Sequence, residues 1–134
     1  MQLLVFRALW GMTGSLPDQF ERIAVAGYDG VELWPDQLAA SRAEIQALAG
    51  QYGLRMIVGT SLADRAELDA ALNRLAEFQP LVINLHSGRD WWTRDQGAAF
   101  FEEALRVEAK IGISVAHETH RGRIFYTPWD TLFY

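Results

Sequence analysis

Apolar residues along the chain fall into two kinds of block: short continuous runs, and longer segments whose apolar positions recur at three and four residue steps. The run over 3–10, LLVFRALW, reads as a buried strand. A helix over 16–26 follows, with Ser15 as N-cap, Pro17 in its first turn, acidic residues early and Gly27 just past its end. The next strand, VELW over 31–34, is entered through Tyr28, Asp29 and Gly30. The helix after it, over 36–49, carries Leu38, Ile45 and Leu48 on one stripe before Gly50 and Gly53. A third strand covers 54–59, LRMIVG. The helix over 64–78 places Leu68, Ala71, Leu72 and Leu75 on one face and stops ahead of Pro80. A fourth strand, LVINLH over 81–86, runs into the loop SGRDWWTRD. A helix over 96–110, with Phe100, Leu105 and Val107 among its apolar positions, then leads through Gly112 to a fifth strand, ISVAHETH, over 113–120.

Strand and helix therefore alternate, and near-continuous apolar strands predict a parallel α/β sheet covered by helices. Such a sheet is either doubly wound or part of a (β/α)8 TIM barrel. The first strand-to-helix turn, Gly11-Met12-Thr13-Gly14, has neither a GxGxxG nor a P-loop pattern, which favours the barrel. Thr127, Pro128 and Asp130 begin one more helix. A complete barrel takes about 250 residues, and the chain has 134. The expectation is an incomplete barrel of five strands and four helices plus the start of a fifth, the amino-terminal part of one domain over 1–134. A complete small α/β domain is the alternative. Open edges at the first and fifth strands predict a self-associating chain, a homo-oligomer if ordered.

Composition narrows the partners. Lys and Arg number 12 against 17 Asp and Glu, for a net charge of −5, and Lys110 is the single lysine. That balance disfavours nucleic acid. No apolar run approaches the roughly 18 residues that span a bilayer, and no leader precedes the first strand, so a soluble, cytoplasmic protein is expected. With no cysteine, any metal would be held by His, Asp and Glu.

Candidate chemistry collects at strand ends. Side chains alternate across a strand, so Ser114, Ala116, Glu118 and His120 share one face, and Val82, Asn84 and His86 share the matching face of the preceding strand. His86 and Glu118 then meet at the carboxyl rim, where barrel enzymes build their sites, as an acid/base pair or part of a metal site suited to Mn, Mg, Co or Zn. The structural alternative pairs Glu118 with Arg121 or Arg123 and leaves His86 as a hydrogen-bonded core imidazole. Glu32, ionisable within an apolar strand, needs a partner: Arg7, in a structural ion pair, is favoured over a hydroxylated substrate. Trp10, Trp34, Trp91 and Trp92 fall at or beyond strand ends, where they either stack on a sugar or fill the core. His120, Arg121 and Arg123 offer groups for a phosphate or for hydroxyls, or form a solvated charge run.

The succession GYDGVELWP, GLRMIV, VINLHSG and GISVAHETHRGR resembles the xylose isomerase-like TIM-barrel superfamily, in particular its sugar phosphate isomerase/epimerase group, which also includes endonuclease IV. The resemblance runs from strand one through strand five. It implies a divalent metal at the carboxyl-terminal mouth, with Glu118 matching the strand-five glutamate that is both metal ligand and acid/base group. His86, in Asn84-Leu85-His86-Ser87-Gly88, matches the strand-four histidine. The remaining ligands would lie on strands six to eight, beyond Tyr134, so this chain alone is expected to be inactive. The function implied is metal-dependent isomerisation or epimerisation of a sugar or sugar phosphate. The alternatives are an endonuclease IV-like phosphodiesterase and a non-catalytic sugar-binding module.

Overall fold

Five parallel strands lie side by side in chain order: Phe6–Ala8 (β1), Gly30–Leu33 (β2), Arg55–Leu62 (β3), Val82–Ser87 (β4) and Val115–His117 (β5). The computed structural model describes residues 2–39 and 41–134. Helices Leu16–Val25 (α1), Pro35–Leu38 (α2), Arg42–Tyr52 (α3), Leu68–Ala76 (α4) and Arg94–Ile111 (α5) connect the strands, and Pro128–Phe133 (α6) follows β5.

The alternation read from the sequence is what sorts the two faces of the sheet. Val31, Leu33, Val58, Ile83 and Leu85 are fully buried beneath the helices, against Phe20, Ile45, Leu72, Phe100 and Val107. Each such aliphatic side chain contributes about 1.5–3 kcal/mol by leaving water. The other face carries Glu32, Ile57, Gly59, Val82, Asn84 and His86, and it is only partly covered. β1 and β5 each pair on one side only.

Local signals set the helix ends. Ser15 accepts from the Asp18 amide while the Asp18 carboxylate accepts from the Ser15 amide, and Thr93 and Gln96 repeat this reciprocal cap at the start of α5. Gly53 and Gly112 close α3 and α5 in the left-handed conformation.

Several expected boundaries move. The helix expected over 36–49 is two, because Pro35 starts a turn directly off β2 and Ser41 starts another; the join includes residue 40, outside the described residues. Helix α3 also runs through Gly50 to Tyr52. The helix over 64–78 opens as a 3₁₀ turn, Arg65–Glu67, capped by Asp64. Strand β3 is longer than expected because Thr60, Ser61 and Leu62 continue the ladder beside Leu85, His86 and Ser87. β1 and β5 are shorter than expected, and Leu81 is exposed rather than buried. Among the described residues no helix is long and apolar enough to cross a membrane.

His117 points to the helix-covered face, its ring 4.9 Å from that of Phe101, with Nδ1 2.6 Å from the buried Ser87 hydroxyl oxygen. Burial pushes its pKa below the ordinary histidine value, and the Glu108 charge opposes this only in part. The folded chain therefore holds the imidazole neutral, whereas the unfolded chain protonates it below about pH 6.5. Its stabilising contribution is full above that pH and is lost as the pH falls toward the depressed folded value. Melting curves of wild type and His117→Gln between pH 7.5 and 5 should converge as the pH drops. A constant gap between them would contradict this.

Candidate functional site

At the carboxyl ends of β2 to β5, Trp10, Glu32, Trp34, Asp36, Ser61, His86, Glu118 and His120 line a cleft of about 560 Å³. The register explains the convergence. Ser61 stands beside His86, Gly59 beside Asn84 and Asn84 beside Ala116, and the Glu118 amide still donates to the Leu85 carbonyl one step past β5. Glu118 therefore shares its face with Asn84 and His86.

The polar groups form one connected set. Asn84 Nδ2 donates to Glu118 Oε2 at 2.6 Å and to Glu32 Oε1 at 3.0 Å, and Trp34 Nε1 donates to the same Glu32 oxygen at 3.2 Å. His86 Nε2 lies 3.2 Å from Glu118 Oε2, with side-chain exposures of 13% and 39%. The contact is an ion-pair distance without hydrogen-bond alignment, and among the described residues this nitrogen is the one buried side-chain polar atom that finds no hydrogen-bond partner. The His86 ring is sandwiched, 4.2 Å from His120 in a stacked arrangement and 4.6 Å from Trp34 in a tilted one. Burial holds its pKa below the ordinary histidine value; the Glu118 charge pulls it back up, and His120 pushes it further down. The ring is accordingly neutral at pH 7.

Two sequence expectations change here, and one alternative is set aside. Glu32 makes no ion pair with Arg7: Arg7 is in register with Val31, on the helix-covered face, and its guanidinium donates to the Ala8 carbonyl instead. Glu118 contacts Asn84 and His86 and not Arg121 or Arg123; the Arg123 guanidinium reaches the Gly88 carbonyl. The two adjacent tryptophans stand apart from the cleft. Trp92 packs over Gly88 with its ring 5.5 Å from that of Phe100, and Trp91 is 73% exposed. Trp10 and Trp34 are the tryptophans that line it.

Asp36 and Ser61 join the cleft without having been singled out in the sequence. Asp36 looked like an ordinary first-turn helix residue, and Ser61 fell beyond the expected end of β3. The double donation by Asn84 also had no sequence signal beyond its inward face.

Whether these residues suit a divalent metal can be judged from their donors. Imidazole Nε2 and carboxylate Oε2 at 3.2 Å have the separation of two neighbouring ligands on one ion with bonds of about 2.0–2.2 Å. Two donors do not make a site: among the described residues no group of three or more His, Asp and Glu side chains is placed to hold a metal. The set supplies part of a coordination sphere and does not complete one.

No protein-family model and no curated protein sequence matches the chain. Solved structures do. An AP endonuclease of family 2 from Brucella melitensis superposes with a TM-score of 0.63 at 20% identity, over 84% of this chain and 54% of that one. A xylose isomerase-like TIM barrel/4-hydroxyphenylpyruvate dioxygenase fusion protein gives 0.68 at 17% identity, over 87% and 22%. A sugar phosphate isomerase/epimerase from Parabacteroides distasonis gives 0.67 at 16% identity, over 84% and 50%. The chain spans about half the length of two of these proteins and about a fifth of the fusion protein.

Proposed function

Starting from the xylose isomerase-like TIM-barrel fold, present here as five strands of an incomplete barrel, we propose that the cleft is the proton-transfer site of a sugar or sugar-phosphate isomerase or epimerase. The observation that carries the reading is Glu118. It is a carboxylate at a strand end, fixed through one oxygen by Asn84, with His86 Nε2 3.2 Å from that oxygen, inside a cleft walled by Trp10 and Trp34.

The chemistry asked of it is modest. Glu118 accepts a proton from the carbon beside a carbonyl, the C–H electron pair becomes the new C=C bond, and the carbonyl oxygen takes up the negative charge. Moving the adjacent hydroxyl's proton to that oxygen, so that a new C=O forms at the hydroxyl's carbon, and returning the abstracted proton to the former carbonyl carbon completes an aldose–ketose shift. Returning one instead to the opposite face of the carbon that lost it inverts the centre and requires a second acid there. Neutral His86 is suited to donate a hydrogen bond to the developing oxyanion, and the indole faces suit the apolar face of a sugar ring. A bound divalent ion would supply electrophilic stabilisation of that oxygen in place of the His86 hydrogen bond, with His86 Nε2 and Glu118 as its ligands from this chain.

Hydrolysis of a DNA phosphodiester is the competing reading, motivated by the Brucella neighbour. The cleft opposes it, because Glu32, Asp36 and Glu118 line it and no Lys or Arg does. A phosphodiester would meet three carboxylates.

The test is solvent-proton exchange. The full chain is incubated in D2O with a panel of aldoses, ketoses and their phosphates, with Mn, Mg, Co or Zn supplied, and deuterium incorporation beside the carbonyl is followed by NMR. Exchange above the protein-free rate is expected of a chain that carries the closed barrel, and none is expected of residues 1–134 alone. Binding without exchange would support the sugar-binding module instead. Tryptophan fluorescence offers an independent check: a bound sugar should alter the emission, and Trp34→Phe with Trp10→Phe should remove most of the response. Trp91→Phe with Trp92→Phe should leave it, since neither ring lines the cleft. The reverse result would move the sugar to the 88–93 loop.

A further inference from the structure

Gly59 sits in β3 directly between the strands that carry Glu32 and Asn84, on their face of the sheet. Its backbone does not ask for glycine, since it is absent from the positive-φ positions. Its surroundings do. A Cβ at Gly59 would stand 2.6–2.8 Å from Cε2, Cδ2 and Cζ2 of the Trp34 indole, inside van der Waals contact. The indole lies over this gap, reaches Glu32 with Nε1 and meets the His86 ring. On the other side of the gap, Asn84 faces two carboxylates. Because both are acceptors, the amide must turn its NH2 toward them, one hydrogen to Glu32 and one to Glu118.

We propose that Gly59 and Asn84 are positioning residues for the proton-transfer carboxylate. Gly59 leaves the seat for Trp34, and Asn84 joins Glu32 and Glu118 into one unit. The proposal rests on reading Glu118 as the base. Two carboxylates around one nitrogen repel each other, and Glu118 lies just past the end of β5. Without a neutral double donor between them they would splay. With Asn84 in place, Oε2 of Glu118 is engaged while Oε1 makes no hydrogen bond among the described residues, and the carboxylate is held in a direction set by Asn84, Glu32 and, through Glu32, the indole seated on Gly59.

Two measurements on the full chain test this. The first is a double-substitution cycle. Gly59→Ala should lower the melting midpoint and shift the Trp34 Nε1–H and His86 ring resonances, whereas in a Trp34→Ala background the same change should leave the midpoint nearly unaltered. If Gly59→Ala alone fails to fold, the double variant should recover the fold. An equal loss in both backgrounds, or failure of both to fold, overturns the seat.

The second measurement uses Asn84→Asp, which keeps the shape and replaces the donor with an acceptor. The Glu32 and Glu118 side-chain carboxyl ¹³C signals should move. The exchange rate should fall about 100-fold in kcat, the scale of a misplaced reacting group, while KM stays within about threefold. Unmoved carboxyl signals, or an unchanged kcat, overturn the role of Asn84. If the native chain exchanges no sugar at all, that failure belongs to the proton-transfer reading, and the resonances and the cycle still decide the positioning.

Discussion

Replacing Glu118 with Gln is expected to lower proton exchange by about 10²- to 10⁴-fold, the usual worth of a positioned general base, with little change in melting temperature. Gln is isosteric. Its carbonyl oxygen can take the Oε2 position and keep accepting from Asn84, so the contact that orients the side chain survives. What is lost is the ability to hold a proton. The effect should appear almost wholly in kcat, because the aromatic walls and hydroxyl-binding groups remain. His86→Ala should cost less, since His86 assists at an oxygen while Glu118 moves the proton. Deuterium incorporation measured for both variants, with circular dichroism to confirm folding, orders the two roles. Wild-type exchange in Glu118→Gln would remove the carboxylate from the mechanism. A larger loss in His86→Ala would make the imidazole the principal group.

Phe100→Ala should be among the most damaging substitutions in the core. The ring is 1% exposed, on the buried face of α5, 5.5 Å from the Trp92 ring and 5.8 Å from the Phe101 ring. Truncating a buried Phe costs about 3–5 kcal/mol through lost transfer energy and the cavity left behind. That is a large share of the roughly 5–15 kcal/mol that holds a typical domain together. The partly covered face leaves this sheet less buried area than a closed barrel has, so the variant should be largely unfolded at 37 °C. Urea denaturation followed by circular dichroism measures the loss. A shift below about 1 kcal/mol would mean that Trp92 and Phe101 close over the gap.

What could be read from the sequence is what depends on local periodicity. Caps at Ser15 and Thr127 satisfy amides within their own first turns, so Ser, Thr, Pro and Asp at fixed offsets announce them. Alternation along a strand is equally local. It placed Asn84 and His86 on one face of β4 and Glu118 with them on the next strand, before any register was known. The break between α2 and α3 was less legible, because Leu38, Ile45 and Leu48 fit one helical stripe whether or not the helix is continuous.

Tertiary structure decided the partners. Arg7 and Glu32 looked complementary, yet parallel register sets Arg7 beside Val31 and so on the opposite face of the sheet. Four tryptophans at strand ends looked alike; whether Trp34 and Trp10 or Trp91 and Trp92 line the cleft depends on where Phe100 and Gly88 leave room. Gly59 shows no special backbone angle, and its role exists only because an indole just past the end of the neighbouring strand lies across it. A residue's secondary structure and facing direction follow from its own few neighbours in the chain. Its hydrogen-bond and packing partners come from strands some 25 to 50 residues away, and only the register of the sheet determines which of those side chains meet.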